Sequence, residues 1–188
     1  MQLEEFLEQT AARTPDKVAL IVGDRQLTYR EIETEANQLA HGLIARGVQR
    51  GDRVVLFLDN CVEAAVGVWA VLKAGAVFVM ANPTTKPDKL TYLLNNSRAV
   101  CIIGQSKRLR SCESIWSETP HLRNVVVVGA PEDVADCMHP LTGWSDLVDE
   151  HSDNVTPPAK RCIDVDLAAL VYTSGSTGGE QVNYNVPV

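Results

Sequence analysis

A short run of hydroxyl-bearing and glycine residues near the end of the chain has the composition of a phosphate-binding loop. The run consists of Thr173, Ser174, Gly175, Ser176, Thr177 and Gly178. Its glycines allow backbone conformations that other residues avoid, so successive amide groups can converge on one anion. The hydroxyl groups of the serines and threonines add further hydrogen-bond donors. We therefore predict that these residues bind a phosphate group.

The residues before this run predict where it lies. Residues 168–172 are apolar and are typical of a buried strand. In an open parallel sheet, ligands collect beyond the carboxyl ends of the strands, which is where the run would begin. It does not match the Walker pattern G-x-x-x-x-G-K-[ST]. A flexible Ser/Gly-rich linker is the alternative interpretation.

Strands and helices alternate along most of the chain. An apolar periodic helix is predicted from residue 3, followed by a small hairpin over 18–27 and a helix that starts at the capping box of Thr28 and Glu31 and ends at Gly47. Asn60 and Glu63 resemble a second helix cap. Further buried strands are predicted at residues 53–58, 76–80, 99–103 and 124–128. This alternation predicts an α/β fold, a parallel doubly wound sheet with helices on both faces.

Composition limits the classes of function. The 188 residues are 45% hydrophobic, which is enough for one packed domain or one domain with a small appendage. The formal charge of −7 argues against a nucleic-acid partner, because binding to a phosphate backbone depends on clustered Lys and Arg. The best basic group, Lys107, Arg108 and Arg110, is interpreted as a solvated helix face.

Membrane and compartment signals are weak. Residues 61–80 are about as long as a membrane span, but Glu63, Lys73 and the glycine at 75 divide them into helix, turn and strand, so no transmembrane segment is predicted. The chain begins without a signal-peptide pattern. Its five cysteines show no C-x-x-C pair, which favours neither a disulfide framework nor a zinc site and indicates a reducing compartment. We predict a cytoplasmic protein.

Three stretches together resemble one family. They are "LTYREI" at 27–32, "LKAGAVFVMANP" at 72–83 and "LVYTSGSTGG" at 170–179. In this order they are similar to the start of the adenylate-forming (AMP-dependent synthetase/ligase) superfamily, which includes acyl-CoA synthetases, luciferases and adenylation domains of peptide synthetases. With the preceding strand, this resemblance favours phosphate binding over a linker.

The resemblance implies a domain organisation. Residues 1–178 would form a partial N-terminal adenylate-forming domain, truncated within its first subdomain. Residues 131–160, which are acidic and rich in proline with weak periodicity, are interpreted as an excursion and linker within it. Residues 179–188 are interpreted as a tail outside the family pattern.

The resemblance also implies a reaction. A carboxylate attacks the α-phosphate of ATP to give an acyl-adenylate and pyrophosphate, and a thiol, commonly that of coenzyme A, then takes the acyl group. ATP, Mg²⁺ and coenzyme A are the implied cofactors. Asn82-Pro83 is more similar to acyl-CoA and aryl-CoA synthetases than to peptide-synthetase domains, so a fatty or aromatic acid is expected, with an amino acid as the alternative.

The chain departs from the family pattern after the predicted loop. Family members continue Gly-x-Pro-Lys-Gly, whereas here Glu180 stands at the proline position and Gln181 at the lysine position. A carboxylate near phosphate oxygens repels them, so weak ATP binding is expected. The family's catalytic and metal-binding residues would follow later, so no catalytic residue and no metal ligand are predicted within the chain.

Three functions therefore stay open. We expect part of an AMP-forming carboxylate–CoA ligase that has little activity alone. The alternatives are a non-catalytic binding or interaction module that retains the fold, and a fragment of a peptide-synthetase adenylation domain. In each case an exposed apolar face is expected to favour self-association or a protein partner.

Overall fold

The computed structural model describes residues 2–134, 137–159, 162–173 and 181–187. The strands in these ranges are β1 Val18–Val22, β2 Arg25–Thr28, β3 Arg53–Phe57, β4 Val77–Met80, β5 Ala99–Gln105, β6 Asn124–Val128, β7 Leu141–Gly143, β8 Leu167–Thr173 and β9 Gln181–Pro187. The α-helices are α1 Leu3–Arg13, α2 Tyr29–Ala45, α3 Val62–Lys73, α4 Pro87–Ser97, α5 Ser106–Leu109 and α6 Trp144–Glu150. Two 3₁₀ segments cover Arg110–Glu118 and Pro131–Asp133.

The strands form one large sheet and one hairpin. The hairpin pairs β1 with β2, as predicted. The large sheet has the order β7-β6-β5-β3-β4-β8-β9. All its neighbouring strands are parallel except β8 and β9, which are antiparallel. The predicted parallel α/β sheet is confirmed, and β9 adds an antiparallel strand at its edge.

Helices cover both faces of the sheet because the buried strands alternate their side chains between two cores. On β3, Val54 and Leu56 belong to the core beneath α2, α3 and α6. Val55 and Phe57 belong to the core beneath α4 and the first 3₁₀ segment. Each of these side chains is at most 1% exposed. The doubly wound arrangement predicted from the apolar runs is thus confirmed.

Helix α2 begins at the predicted capping box and ends at Ala45, two residues before the predicted Gly47. The Thr28 hydroxyl accepts a hydrogen bond from the Glu31 amide at 3.3 Å, and the Thr28 amide donates to Glu31 Oε2 at 2.7 Å. These bonds satisfy two amides that a helix start would leave unpaired. Beyond its end, Gly47 adopts a φ of +83°, the left-handed conformation that glycine supplies at low cost.

The second predicted cap, at Asn60 and Glu63, is wrong. Helix α3 has Cys61 at its N-cap position, and no side-chain hydrogen bond caps it. Glu63 instead accepts a hydrogen bond from Arg25 Nη1 at 2.7 Å. The carboxylate therefore joins the hairpin to α3 rather than closing the helix start.

Besides the 3₁₀ segment Pro131–Asp133, residues 131–160 hold a strand and a helix that the sequence pattern did not reveal. Strand β7 pairs in parallel with β6, and α6 follows it directly. Trp144 and Leu147 of α6 are buried in the core beneath α2. Strand β7 has only three residues and α6 only seven, so neither is long enough to show clear periodicity.

No helix in the described part of the chain is long and apolar enough to cross a membrane. None of the five cysteines, all of which lie in the described ranges, forms a disulfide bond. Complete burial raises the pKa of the Cys101 thiol to about 12.

Glu35 provides a pH-dependent test of how α6 packs on α2. Its Oε1 accepts a hydrogen bond from Trp144 Nε1 at 2.9 Å. Burial raises the pKa of Glu35 above its ordinary value of 4.5, although the Trp144 bond lowers the pKa in part. As the pH rises above 4.5, the unfolded chain loses the proton first, so this group makes the fold less stable towards neutral pH.

We expect Glu35→Gln to raise the thermal midpoint at pH 7 by about 1–3 °C. The amide keeps an acceptor for Trp144 and carries no charge to bury. When the pH is below the ordinary pKa of Glu35, the gain in thermal midpoint should vanish, because Glu35 is then protonated in both the folded and the unfolded chain. Calorimetry from pH 3.5 to pH 7 checks this, and an equal gain at both ends would contradict it.

Candidate functional site

The predicted phosphate run begins at the carboxyl edge of the sheet. Strand β8 lies beside β4 and ends at Thr173, whose backbone pairs with that of Gln181, the first residue of β9. The other predicted phosphate-binding residues, Ser174, Gly175, Ser176, Thr177 and Gly178, lie outside the described residues. The chain thus enters and leaves the run at two neighbouring strand ends on the edge where ligands collect in open α/β sheets.

Strand β8 is anchored on both sides of the sheet. Ala168 and Ala169 are 1% and 4% exposed. Leu170 and Tyr172 pack against the core beneath α4. The Tyr172 hydroxyl donates a hydrogen bond to Asn96 Oδ1 of α4 at 2.7 Å. The strand predicted before the run is present and fixes where the run starts, but it is buried only at Ala168 and Ala169, since Val171 is exposed.

The loop after β4 reaches the same edge. Asn82 Oδ1 accepts hydrogen bonds from the Thr84 amide at 2.9 Å and from the Thr84 hydroxyl at 2.8 Å. This Asx turn closes the Asn-Pro bend. An aspartate at position 82 could accept the same two bonds. The structure therefore gives Asn82 a turn-forming role that does not distinguish acyl-CoA synthetases from enzymes with an acidic residue there.

A cluster of charged residues lies where the strand order reverses. The chain passes from β3 to β4 on one side and then returns to β5 on the other, so β3 and β5 flank the topological switch point. Asp59, after β3, contacts Lys107 Nζ and Arg108 Nη2 of α5, each at 2.8 Å. Hydrogen bonds from these two cations hold the pKa of Asp59 below its ordinary range.

The basic group lies on a solvent-exposed helical segment, as predicted, and the cluster adds ion pairs that the prediction did not include. Lys107 and Arg108 form ion pairs across the edge of the sheet, whereas Arg110 is exposed. The sequence did carry a signal: Asp59 and Lys107 each follow an apolar strand within two residues. Polar residues at successive strand ends of a parallel sheet meet at one edge. Asp59 bridges the two cations and so stabilises the edge, and because one carboxylate faces two cations the cluster keeps a net positive charge.

Across the described ranges, no group of three or more His, Cys, Asp and Glu side chains is arranged to hold a metal ion. At the carboxyl edge, two neighbouring strand ends flank a hydroxyl- and glycine-rich run. The Asn82 turn and the ion-paired Asp59 cluster lie at the same edge. These features define a doubly wound α/β protein with a candidate anion site at the carboxyl edge.

The chain belongs to the AMP-binding enzyme family, because the sequence profile of this family matches residues 7–179. The resemblance to adenylate-forming enzymes, predicted from three motifs, is confirmed.

Relatives of two kinds are similar in sequence to this chain. A medium/long-chain-fatty-acid–CoA/3-oxocholest-4-en-26-oate–CoA ligase of Mycobacterium tuberculosis (strain H37Rv) is 33% identical over 95% of this chain. A mycosubtilin synthase polypeptide of Bacillus subtilis is 33% identical over 93% of this chain. The chain spans about a third of the ligase, 32% of its length, and 6% of the synthase polypeptide.

Solved structures share the fold. The anthranilate–CoA ligase AuaEII, in complex with anthranoyl-AMP, superposes with a TM-score of 0.84 at 30% identity, over 94% of this chain and 33% of its own. Mycobacterium smegmatis MbtA superposes with the same TM-score at 27% identity, over all of this chain and 33% of its own. The sheet and its helices therefore correspond to a region of adenylate-forming enzymes, as predicted.

Proposed function

We propose that this chain carries the phosphate-binding part of an AMP-forming carboxylate–CoA ligase, in which Thr173, Ser174, Gly175, Ser176, Thr177 and Gly178 hold the phosphates of ATP. The main support is that the run starts where β8 meets the carboxyl edge, in a chain of the AMP-binding enzyme family. Backbone amides and hydroxyl groups would bind the phosphate oxygens there.

The proposed reaction activates a carboxylate as an acyl-adenylate and then transfers the acyl group to coenzyme A. Magnesium bound with ATP would neutralise phosphate charge, and the run would orient the phosphates. Relatives include a fatty-acid–CoA ligase and an anthranilate–CoA ligase, so we propose a fatty or aromatic acid as substrate. The similarity to a peptide synthetase keeps an amino acid as the alternative.

We expect these 188 residues alone to bind ATP weakly and to complete no turnover. They correspond to about a third of the related ligases, and catalysis needs contacts made in the transition state by the remaining parts of such a site. The cytoplasm, predicted from the cysteine pattern and from the lack of a signal-peptide pattern, is the proposed location.

ATP–pyrophosphate exchange with fatty, aromatic and amino acids tests the proposal. Equilibrium dialysis with labelled ATP tests binding separately. We expect weak ATP binding that Ser174→Ala, Ser176→Ala and Thr177→Val together abolish, and no exchange above background. Binding that this triple variant leaves unchanged would refute the assigned residues, and strong exchange would refute the expected inactivity.

One surface feature favours the second candidate, an interaction module. Met80 and Val171 are 44% and 41% exposed. They lie on adjacent strands, one step beyond the paired residues Val79 and Leu170, and so share one face of the sheet near its carboxyl edge. Such an apolar pair is available to a second copy or a partner. Gel filtration of wild type and of Met80→Gln with Val171→Thr would show association in the first and a monomer in the second.

A further inference from the structure

A cavity of about 490 Å³ lies at the opposite edge of the sheet, at the amino ends of β3, β4 and β8. This volume falls within the range of roughly 300–1,000 Å³ typical of small-molecule sites. Its described lining combines polar and apolar side chains, among them Arg53, Asn96, Arg98, Val77, Leu167 and Leu170. The cavity and the candidate phosphate site lie at opposite ends of the strands, so the proposed phosphate binding gives the cavity no role.

Arg53 gives the cavity a fixed positive charge. Its Nε donates to the Ser97 carbonyl at 2.6 Å, Nη1 to the Gly51 carbonyl at 2.8 Å, and Nη2 to the Arg98 carbonyl at 3.0 Å. These bonds hold the guanidinium against the end of α4. A guanidinium has five N–H donors, so two are left for a ligand.

Arg98 adds a second positive charge at an unusual backbone position. Its φ is +53°, and among the described residues it is the sole non-glycine residue with a positive φ. Glycine is the usual residue in the left-handed position after a helix. The bond to Arg53 uses only the Arg98 carbonyl, which glycine would also supply. The exposed guanidinium thus needs another explanation, and its place on the cavity provides one.

The remaining polar groups also favour an anion. Asn96 accepts the Tyr172 hydroxyl through Oδ1, which leaves its Nδ2 donor to meet a ligand. Asp166 lines the cavity, but both its oxygens accept from Arg50, at 2.7 and 2.8 Å, so its charge is compensated. The cavity is therefore locally positive in a chain of net charge −7.

We propose that this cavity binds an amphipathic carboxylate. The carboxylate would contact Arg98, the free donors of Arg53 and Asn96 Nδ2, because guanidinium groups match the planar geometry of a carboxylate. The apolar part would lie on Val77, Leu167 and Leu170. This site is separate from the proposed phosphate run, and it does not depend on ATP binding.

Calorimetric titration of the 188-residue protein with octanoate tests the proposal, with octanol as the uncharged probe. We expect wild type to bind octanoate saturably and one-to-one, and to bind octanol at least tenfold more weakly. Arg98→Gln should bind octanoate at least tenfold more weakly than wild type does. Arg98→Gly should lose octanoate equally while its thermal midpoint rises, because glycine relieves the left-handed strain. The raised midpoint excludes misfolding as the cause of the loss.

Arg110→Gln is the matched control, since Arg110 is exposed and does not line the described cavity. It should bind octanoate as wild type does. Octanoate bound at the carboxyl edge would keep its affinity in both Arg98 variants, and that result would overturn the proposal. So would an absence of saturable binding, or octanol that binds as tightly as octanoate.

Discussion

Replacing Lys73 by methionine is expected to destabilise the protein by about 3–5 kcal/mol, because it removes the shared partner of two partly buried carboxylates. The Lys73 side chain is 1% exposed. Its Nζ contacts Glu8 Oε1 of α1 at 3.1 Å and Glu33 Oε1 of α2 at 2.8 Å, and these carboxylates are 21% and 14% exposed. Without the ammonium they would repel each other in a poorly solvated place.

Thermal unfolding measures this effect. For a chain of 188 residues, 1 kcal/mol corresponds to a shift of about 2–4 °C, so we expect the midpoint to fall by roughly 6–20 °C. Lys17→Met, at an exposed site, should change stability by about 0.5 kcal/mol or less.

A triple variant separates the loss of the lysine from the isolation of its two partners. Lys73→Met with Glu8→Gln and Glu33→Gln removes all three charges. The amide introduced at position 33 would keep an acceptor for Asn37 Nδ2, which lies 3.2 Å from Glu33 Oε1. Because neutral replacement of a whole buried ion cluster costs little, the triple variant should recover most of the lost stability. A triple variant as unstable as Lys73→Met alone would contradict this account.

The ion pairs of Lys73 give a structural role to a residue that belongs to one of the three family-like stretches. Lys73 lies in the stretch "LKAGAVFVMANP" that helped to suggest adenylate-forming enzymes. Its partners belong to α1 and α2, so it joins the two amino-terminal helices to the helix before β4. Gly75, two residues later, adopts a φ of +78° and turns the chain from α3 into that strand. Both residues therefore serve to hold the scaffold.

The elements that sequence could predict are those with a local cause. The capping box at Thr28 and the left-handed glycine at 47 depend on residues within one turn, and both are found. The core strands could be predicted because burial on both faces removes polar residues from the whole run, as in the "RVVLF" of β3. The parallel sheet then follows, since parallel neighbours need crossovers.

The contacts that sequence could not predict join residues far apart in the chain. The Arg25–Glu63 pair spans 38 residues and the Trp144–Glu35 bond spans 109. Glu63 had the spacing of a cap, but a nearby arginine competes for its carboxylate. At the candidate site, the run after β8 could be placed from composition and strand position. The Asp59 cluster depends on β5 lying beside β3, which is decided by strand order.

Restoring the family residues at two positions is expected to strengthen ATP binding at least tenfold. By resemblance, Glu180 and Gln181 occupy the positions of a proline and a lysine. Position 181 begins β9, and its backbone pairs with Thr173 at the start of the proposed phosphate run. A charge about 4 Å from a phosphate oxygen contributes about 1 kcal/mol in water and about 4 kcal/mol at an effective dielectric constant near 20.

Glu180→Pro removes a repulsion, and Gln181→Lys adds an attraction. Since a tenfold change requires about 1.4 kcal/mol, the two together should exceed it even where solvent screens each charge. Equilibrium dialysis with MgATP compares wild type, each single variant and the pair. The gain should weaken as salt is raised, because exposed charges are screened.

Gln26→Lys provides the matched control, because Gln26 is exposed on β2 of the separate hairpin and the change in charge is the same. If added positive charge alone attracted ATP, this variant would gain as much affinity as Gln181→Lys. An equal gain would show that net charge, rather than the position beside Thr173, governs binding. A gain confined to position 181 would mean that the phosphates lie at the end of β8, where the chain enters the run.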